Sequence, residues 1–155
     1  MFGSMHSTPD GRIALRFERT FAHPPQQVWR AITEPACFTQ WYPFAAGERD
    51  QRVGGRIGFD DGEGTTYDGT ITQFDPSRIF AFREGDNLLQ CEVRPDGGRS
   101  LLVFTHTFDD KSMATNIATG WHRCLDALGM LVDDRPVEWP DNTDDLHKTY
   151  AERLA

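Results

Sequence analysis

The sequence predicts an α+β domain in which a curved antiparallel sheet, entered through one strand and two short helices, wraps around a long C-terminal helix. Three observations predict it. An early segment alternates apolar and charged residues. The middle of the chain falls into strand-length runs separated by Gly, Pro, Asp and Asn turns at roughly ten-residue spacing. A late segment carries apolar residues at steps of three and four. With 155 residues, 38% hydrophobic and 26% charged, the chain fits one domain with its own core, residues 5–155. Met1-Phe2-Gly3-Ser4 ahead of Met5 reads as an appended remnant and is set apart from the expected fold.

Each element follows from local pattern. Ile13, Leu15 and Phe17 alternate with Arg12, Arg16 and Glu18, the period of two of a half-buried strand running to Phe21. His23-Pro24-Pro25 ends that strand, and Pro25 can open a helix because a first-turn N–H has no partner in any case. Val28, Trp29 and Ile32 then sit at helical spacing, giving a short helix over Gln26 to Thr33. Glu34-Pro35 restarts the pattern, with Cys37, Phe38 and Trp41 on one side of a second short helix.

Turn signals follow at Val53-Gly54-Gly55, Asp61-Gly62-Glu63-Gly64, Asp75-Pro76-Ser77, Glu84-Gly85-Asp86-Asn87 and Pro95-Asp96-Gly97-Gly98. They bound five expected strands: Arg56 to Asp60, Thr65 to Phe74, Arg78 to Arg83, Leu88 to Arg94 and Arg99 to Phe108, pairing as sequential neighbours. The long helix has Ile117, Trp121, Cys124, Leu125, Leu128 and Leu131 or Val132 as its apolar stripe, and Asn116, Thr119, Arg123 and Asp126 on the other face. Asp109, Asp110 or Ser112 caps its start, and Asp133 to Pro136 ends it. Leu146, Tyr150 and Leu154, four apart, predict a final amphipathic turn or two against the domain.

Charge and composition exclude several classes of function. With 16 Lys+Arg against 24 Asp+Glu, the net charge of −8 repels a phosphate backbone, so nucleic acid is not an expected partner. Apolar runs are too short for a signal core or a membrane span. Cys37, Cys91 and Cys124 are odd in number and far apart, which predicts free thiols and a cytoplasmic setting. No metal or cofactor signature appears. Asp60, Asp61 and Glu63 lack the spacing of a calcium loop and read as an acidic hairpin turn. Gly54-Gly55 precedes a strand, not a helix, and reads as a tight turn, not a phosphate cradle.

A combination of motifs carries a family resemblance. Phe21 to Trp41 reads F-A-H-P-P-Q-Q-V-W-R-A-I-T-E-P-A-C-F-T-Q-W. Val53-Gly54-Gly55 follows, then Gly69 to Phe82 with Asp75-Pro76 and Arg78, then Gly120-Trp121 with Leu125 and Leu128. From roughly Ile13 to the tail, the chain resembles the SRPBCC superfamily, and within it the homologues of the heat-shock protein 90 ATPase activator C-terminal domain. The resemblance implies the helix-grip fold, also seen in START lipid-transfer domains and birch-pollen-type allergens, with a hydrophobic cavity between sheet and long helix. It does not imply one activity, because members bind lipids or polyketides, cyclise substrates or regulate chaperones.

The expected cavity residues are Trp41 at its rim with Phe44 beside it, Phe59, Tyr67, Ile71, Cys91, Phe104 and His106 from the sheet, and Trp121 and Leu125 from the long helix. Core packing is the default role of the tryptophans. His106 shares a parity with Leu102, Phe104 and Phe108, so it faces inward if the phenylalanines do. It is then either a hydrogen-bonded core histidine or a ligand contact with acid–base potential. A buried arginine without a partner is costly, so Arg83 in the cavity would imply an anionic ligand group, and on the outer face, where it is expected, it is simply solvated. Cys91 and Cys124 read as small buried hydrophobes. The leading expectation is a binding module for a small apolar molecule, with a homodimer an allowed assembly. A chaperone-regulating domain and a cyclase or hydrolase using His106 or a cavity carboxylate are the alternatives.

Overall fold

Alternating strands and a long amphipathic helix assemble as expected in the computed structural model, which describes residues 1–42 and 44–155, the stretch 45–48 by its backbone alone. The elements are β1 (Ser4–Ser7), β2 (Ile13–Phe21), α1 (Pro25–Thr33), α2 (Pro35–Trp41), β3 (Ala45–Arg49), β4 (Arg56–Asp60), β5 (Thr66–Asp75), β6 (Ile79–Glu84), β7 (Asn87–Asp96), β8 (Arg99–Phe108), α3 (Ala114–Val132) and α4 (Thr143–Arg153). One eight-stranded sheet has the order β1-β2-β8-β7-β6-β5-β4-β3. Its neighbours pair antiparallel, so β3 to β8 form a meander and β2 closes onto β8.

The parity argument holds along the sheet. Leu102, Phe104, His106 and Phe108 of β8, Leu89, Cys91 and Val93 of β7, and Phe80 and Phe82 of β6 are all buried, while Arg83 is exposed. Opposite them α3 buries Ala118, Trp121, Cys124, Leu125 and Leu128. Burial pushes the Cys91 and Cys124 thiols up to about 12, so neither supplies thiolate near neutral pH. The two hairpin readings also hold. The Asp60 and Asp61 carboxylates accept from the Gly62 and Glu63 amides inside their own turn. Gly54 has φ +83°, and a Cβ on Gly55 would lie 1.9 Å from the Asp50 carbonyl, so this turn needs both glycines.

Three differences from the sequence reading have physical causes. The first is β3, which the 44–55 stretch does not announce because it lacks a clear alternation. The second is the N-terminus. Residues 1–4 are not apart from the fold: β1 pairs with β2, Phe2 lies 5.0 Å from the His122 ring, and the Gly3 amide donates to the Tyr150 hydroxyl at 3.0 Å. The third is the outer face of α3. Thr119 and His122 are buried, because α4 and the N-terminus cover that side and make α3 a two-sided helix. A polar chain runs through the contact: Tyr150 lies 2.7 Å from His122 Nδ1, and Arg19 donates to Asp126 at 2.5 Å. The start of α3 also differs in detail, since Asp110 caps a 3-10 turn, Lys111–Met113, that leads into the helix. No helix of the described residues is long and apolar enough to cross a membrane.

Candidate functional site

Between α3 and one end of the sheet lies a cleft of about 520 Å³, within the range of small-molecule sites. The helix wall consists of Ile117, Gly120, Trp121 and Cys124, flanked by Asn116 and Arg123. The sheet wall is Leu89 and His106, with Glu84 and Asn87 from the β6–β7 turn. Tyr42, Phe44 and Trp139 complete it. Phe44 and Trp139 are 42% and 46% exposed, so the cleft opens to solvent between two aromatic side chains.

A hydrogen-bond chain crosses its floor. The Trp121 indole N–H, which can only donate, donates to His106 Nδ1 at 2.8 Å. Nδ1 therefore carries no proton, and His106 Nε2–H donates to Asn87 Oδ1 at 2.8 Å. The Asn87 amide in turn donates to the Glu84 carbonyl at 3.2 Å. Every link has its donor and acceptor in place only while His106 is neutral. Burial first, and the Arg12 charge second, push His106 down to about 4, in agreement with that geometry. Its one lone pair is taken by Trp121, so it is a poor general base. Of the two roles the sequence allowed, the structure favours the hydrogen-bonded one at the edge of the cleft.

Beside this chain the Tyr42 hydroxyl donates to the Glu84 carboxylate at 2.9 Å. Burial, reinforced by the Glu84 charge, holds the Tyr42 phenol well above its ordinary range. Tyr67 is raised in the same way by burial and by Glu84. Both phenols therefore stay protonated and serve as donors. Among the described residues no group of three His, Cys, Asp or Glu side chains is placed to hold a metal ion.

Of the ten residues expected around the cavity, Phe44, His106 and Trp121 line the cleft. Trp41 is corrected from rim to core: it is 1% exposed, and its indole donates to the Ala31 carbonyl at 3.1 Å. Phe59, Ile71, Cys91, Phe104 and Leu125 are also fully buried and fill the space behind the cleft. Tyr67 stacks on Phe59 with ring centroids 5.3 Å apart. Parity identifies which residues point inward, but not which of them meet a void. Glu84 and Asn87 were hidden inside a turn signal, and Trp139 in a segment without periodicity. Asn116, Gly120 and Arg123 did carry a signal, namely helical steps of four and three beside the apolar stripe.

Comparison with known proteins agrees with this architecture. Residues 22–133 match the family model described as Activator of Hsp90 ATPase homolog 1-like protein. A conserved protein of unknown function from Enterococcus faecalis superposes with TM-score 0.82 at 20% identity, over 98% of this chain and 90% of that one. CalU16 from Micromonospora echinospora superposes with TM-score 0.76 at 20% identity, over 98% and 95%. A Bordetella parapertussis protein gives 0.73 at 20%, over 98% and 92%. At these identities the likeness is one of fold. No curated protein matches the chain.

Proposed function

The chain belongs to the Activator of Hsp90 ATPase homolog 1-like family of the SRPBCC superfamily, and from that premise we propose that it binds a small apolar or amphipathic molecule in the α3 cleft. The observation that carries this reading is the composition of the cleft. Apolar and aromatic walls supply affinity through burial. Glu84 and Asn87, held in place by Tyr42 and His106, present their remaining polar atoms on one side to orient what enters. Their fixed geometry lowers the ordering cost of binding.

The test is direct. Native mass spectrometry after gentle purification, followed by NMR titration with fatty acids and aromatic polyketides, should give saturable shifts confined to residues of the cleft. Gly120→Leu, which fills the bare stretch of α3, should abolish them in a protein that still folds. If no apolar probe of either class binds the unmodified protein, the reading is wrong.

A further inference from the structure

We infer that the molecule taken by this cleft carries an anionic group, a carboxylate or comparable oxyanion on an aromatic or aliphatic body, and that Arg123 receives it with the help of Asn116. The inference rests on the cleft reading above and adds the charge of the ligand and where it goes.

Among the described residues that line the cleft, Arg123 is the only Lys or Arg. Its guanidinium lies 5.6 Å from the centre of the Trp139 ring, and one terminal nitrogen donates to the Pro140 carbonyl at 3.0 Å. Its Nε is buried without a partner. In a chain with 24 acidic residues, Arg12, Arg19, Arg30, Arg52, Arg78 and Arg94 all hold carboxylates. Among the described residues Arg123 has none. A guanidinium held near an aromatic ring and by one carbonyl keeps donors free in a fork that fits a carboxylate.

Asn116 lies seven residues earlier on α3, two turns along the same face. Its Oδ1 can only accept, and it does so from His147 Nε2 at 2.8 Å, so its NH₂ remains available to donate. Gly120 sits between the two, and a Cβ built there would meet nothing within 4 Å. The helix surface between Asn116 and Arg123 is therefore bare. On the sheet side Glu84 is the only carboxylate among the described residues of the lining, and it accepts from Tyr42. The cleft is thus polarised, with a cation on the helix wall and an anion on the sheet wall, and an amphipathic ligand has one favourable orientation in it.

The test compares two probes of the same shape, 2-naphthoate and neutral 2-naphthamide, by calorimetry and NMR at pH 7. The folded protein should bind naphthoate at least tenfold more tightly than the amide, and added salt should weaken only naphthoate. Arg123→Gln should bind both at the amide's affinity. Equal affinity of the unmodified protein for the two probes, or a preference that survives in Arg123→Gln, overturns the inference while the cleft reading stands. Binding of neither probe overturns the inference, while the cleft reading is decided separately by the fatty-acid and polyketide titrations. Should Arg123→Gln not fold, the salt dependence in the unmodified protein decides on its own: insensitivity of naphthoate to salt overturns the inference.

Discussion

The two ends of the space between sheet and helices use the same kinds of residue and come out differently. Under α1 and α2, Phe38 stacks on Tyr42 with centroids 4.6 Å apart and meets Trp41, Phe80 and Phe82 edge-on. That end is solid. Under the first half of α3, Trp121 and Tyr42 stand 5.2 Å apart, but Gly120 leaves the helix bare beside them and the cleft stays open. Aromatic content therefore does not make a pocket. What differs is cover: two helices seal one end, and at the other a single helix carries glycine where a side chain would reach into open space.

An arginine at each end sharpens the contrast. Arg49 and Arg123 both lack a carboxylate among the described residues. The Arg49 guanidinium is spent on structure, donating to the Thr33 carbonyl at the end of α1 at 2.6 Å and lying 4.4 Å from the Phe38 ring centre. Burial lowers it to about 10, which still leaves it charged at neutral pH. It ties the helix pair to the sheet, whereas Arg123 faces an open cleft.

The largest effect should come from the solid end. Phe38→Ala removes the ring around which four aromatics and Arg49 pack, and should cost about 3–5 kcal/mol in urea unfolding. A loss below about 1.5 kcal/mol would mean that this end can collapse, and the contrast would weaken. At the cleft, His106 is depressed from 6.5 to about 4. The unfolded chain takes up this proton below pH 6.5 and the folded one only near 4, so His106 favours the folded state above 6.5 and that contribution is lost as pH falls to 4. The loss should approach roughly 3 kcal/mol. It should appear as a pH slope that His106→Gln lacks, and a His106 ring that titrates near 6.5 by NMR would contradict it.

Smaller effects separate the ends further. Gly120→Ala should stabilise the protein by roughly 0.5–1 kcal/mol, since an interior helical glycine is unfavourable by about that much and the added methyl meets open space. A loss of stability would show that the helix surface there is covered. The smallest change is expected for Arg49→Met, which keeps the packed stem. The lost carbonyl bond and ring contact are offset by relief of a desolvated charge, so the unfolding midpoint should move by less than about 1 kcal/mol. A loss above about 2 kcal/mol would mean that the guanidinium matters more to the solid end than its orphaned Nε and Nη2 imply.

Much of the fold was legible because it rests on local periodicity. The β2 alternation, the meander turns and the α3 stripe each appear in contiguous residues. β3 was not legible, because its stretch offers no clear alternation. Nor was the covered outer face of α3, where Thr119 is expected in solvent but is buried, and where His122 is covered by Phe2 from the N-terminus and Tyr150 from α4. The site was legible in part. His106 followed from parity, Trp121 from the stripe and Phe44 from its place beside Trp41, but Trp41 itself is core, and Phe59, Ile71, Cys91, Phe104 and Leu125 share the inward signature and simply fill space.

Sequence by itself determined the class of elements, their order, the inward faces and, through the Phe21-to-Trp41 and Gly120-Trp121 motifs, the family. Only the tertiary structure decided where the interior is solid and where it is open, and which tautomer His106 holds. It also decided that Arg123 and Asn116 flank a bare turn of helix. The physical reason is that periodicity reports which side of an element avoids water. A void is a property of three or more surfaces meeting, and its shape depends on residues such as Gly120, Tyr42 and Trp139 that lie on separate elements of the chain.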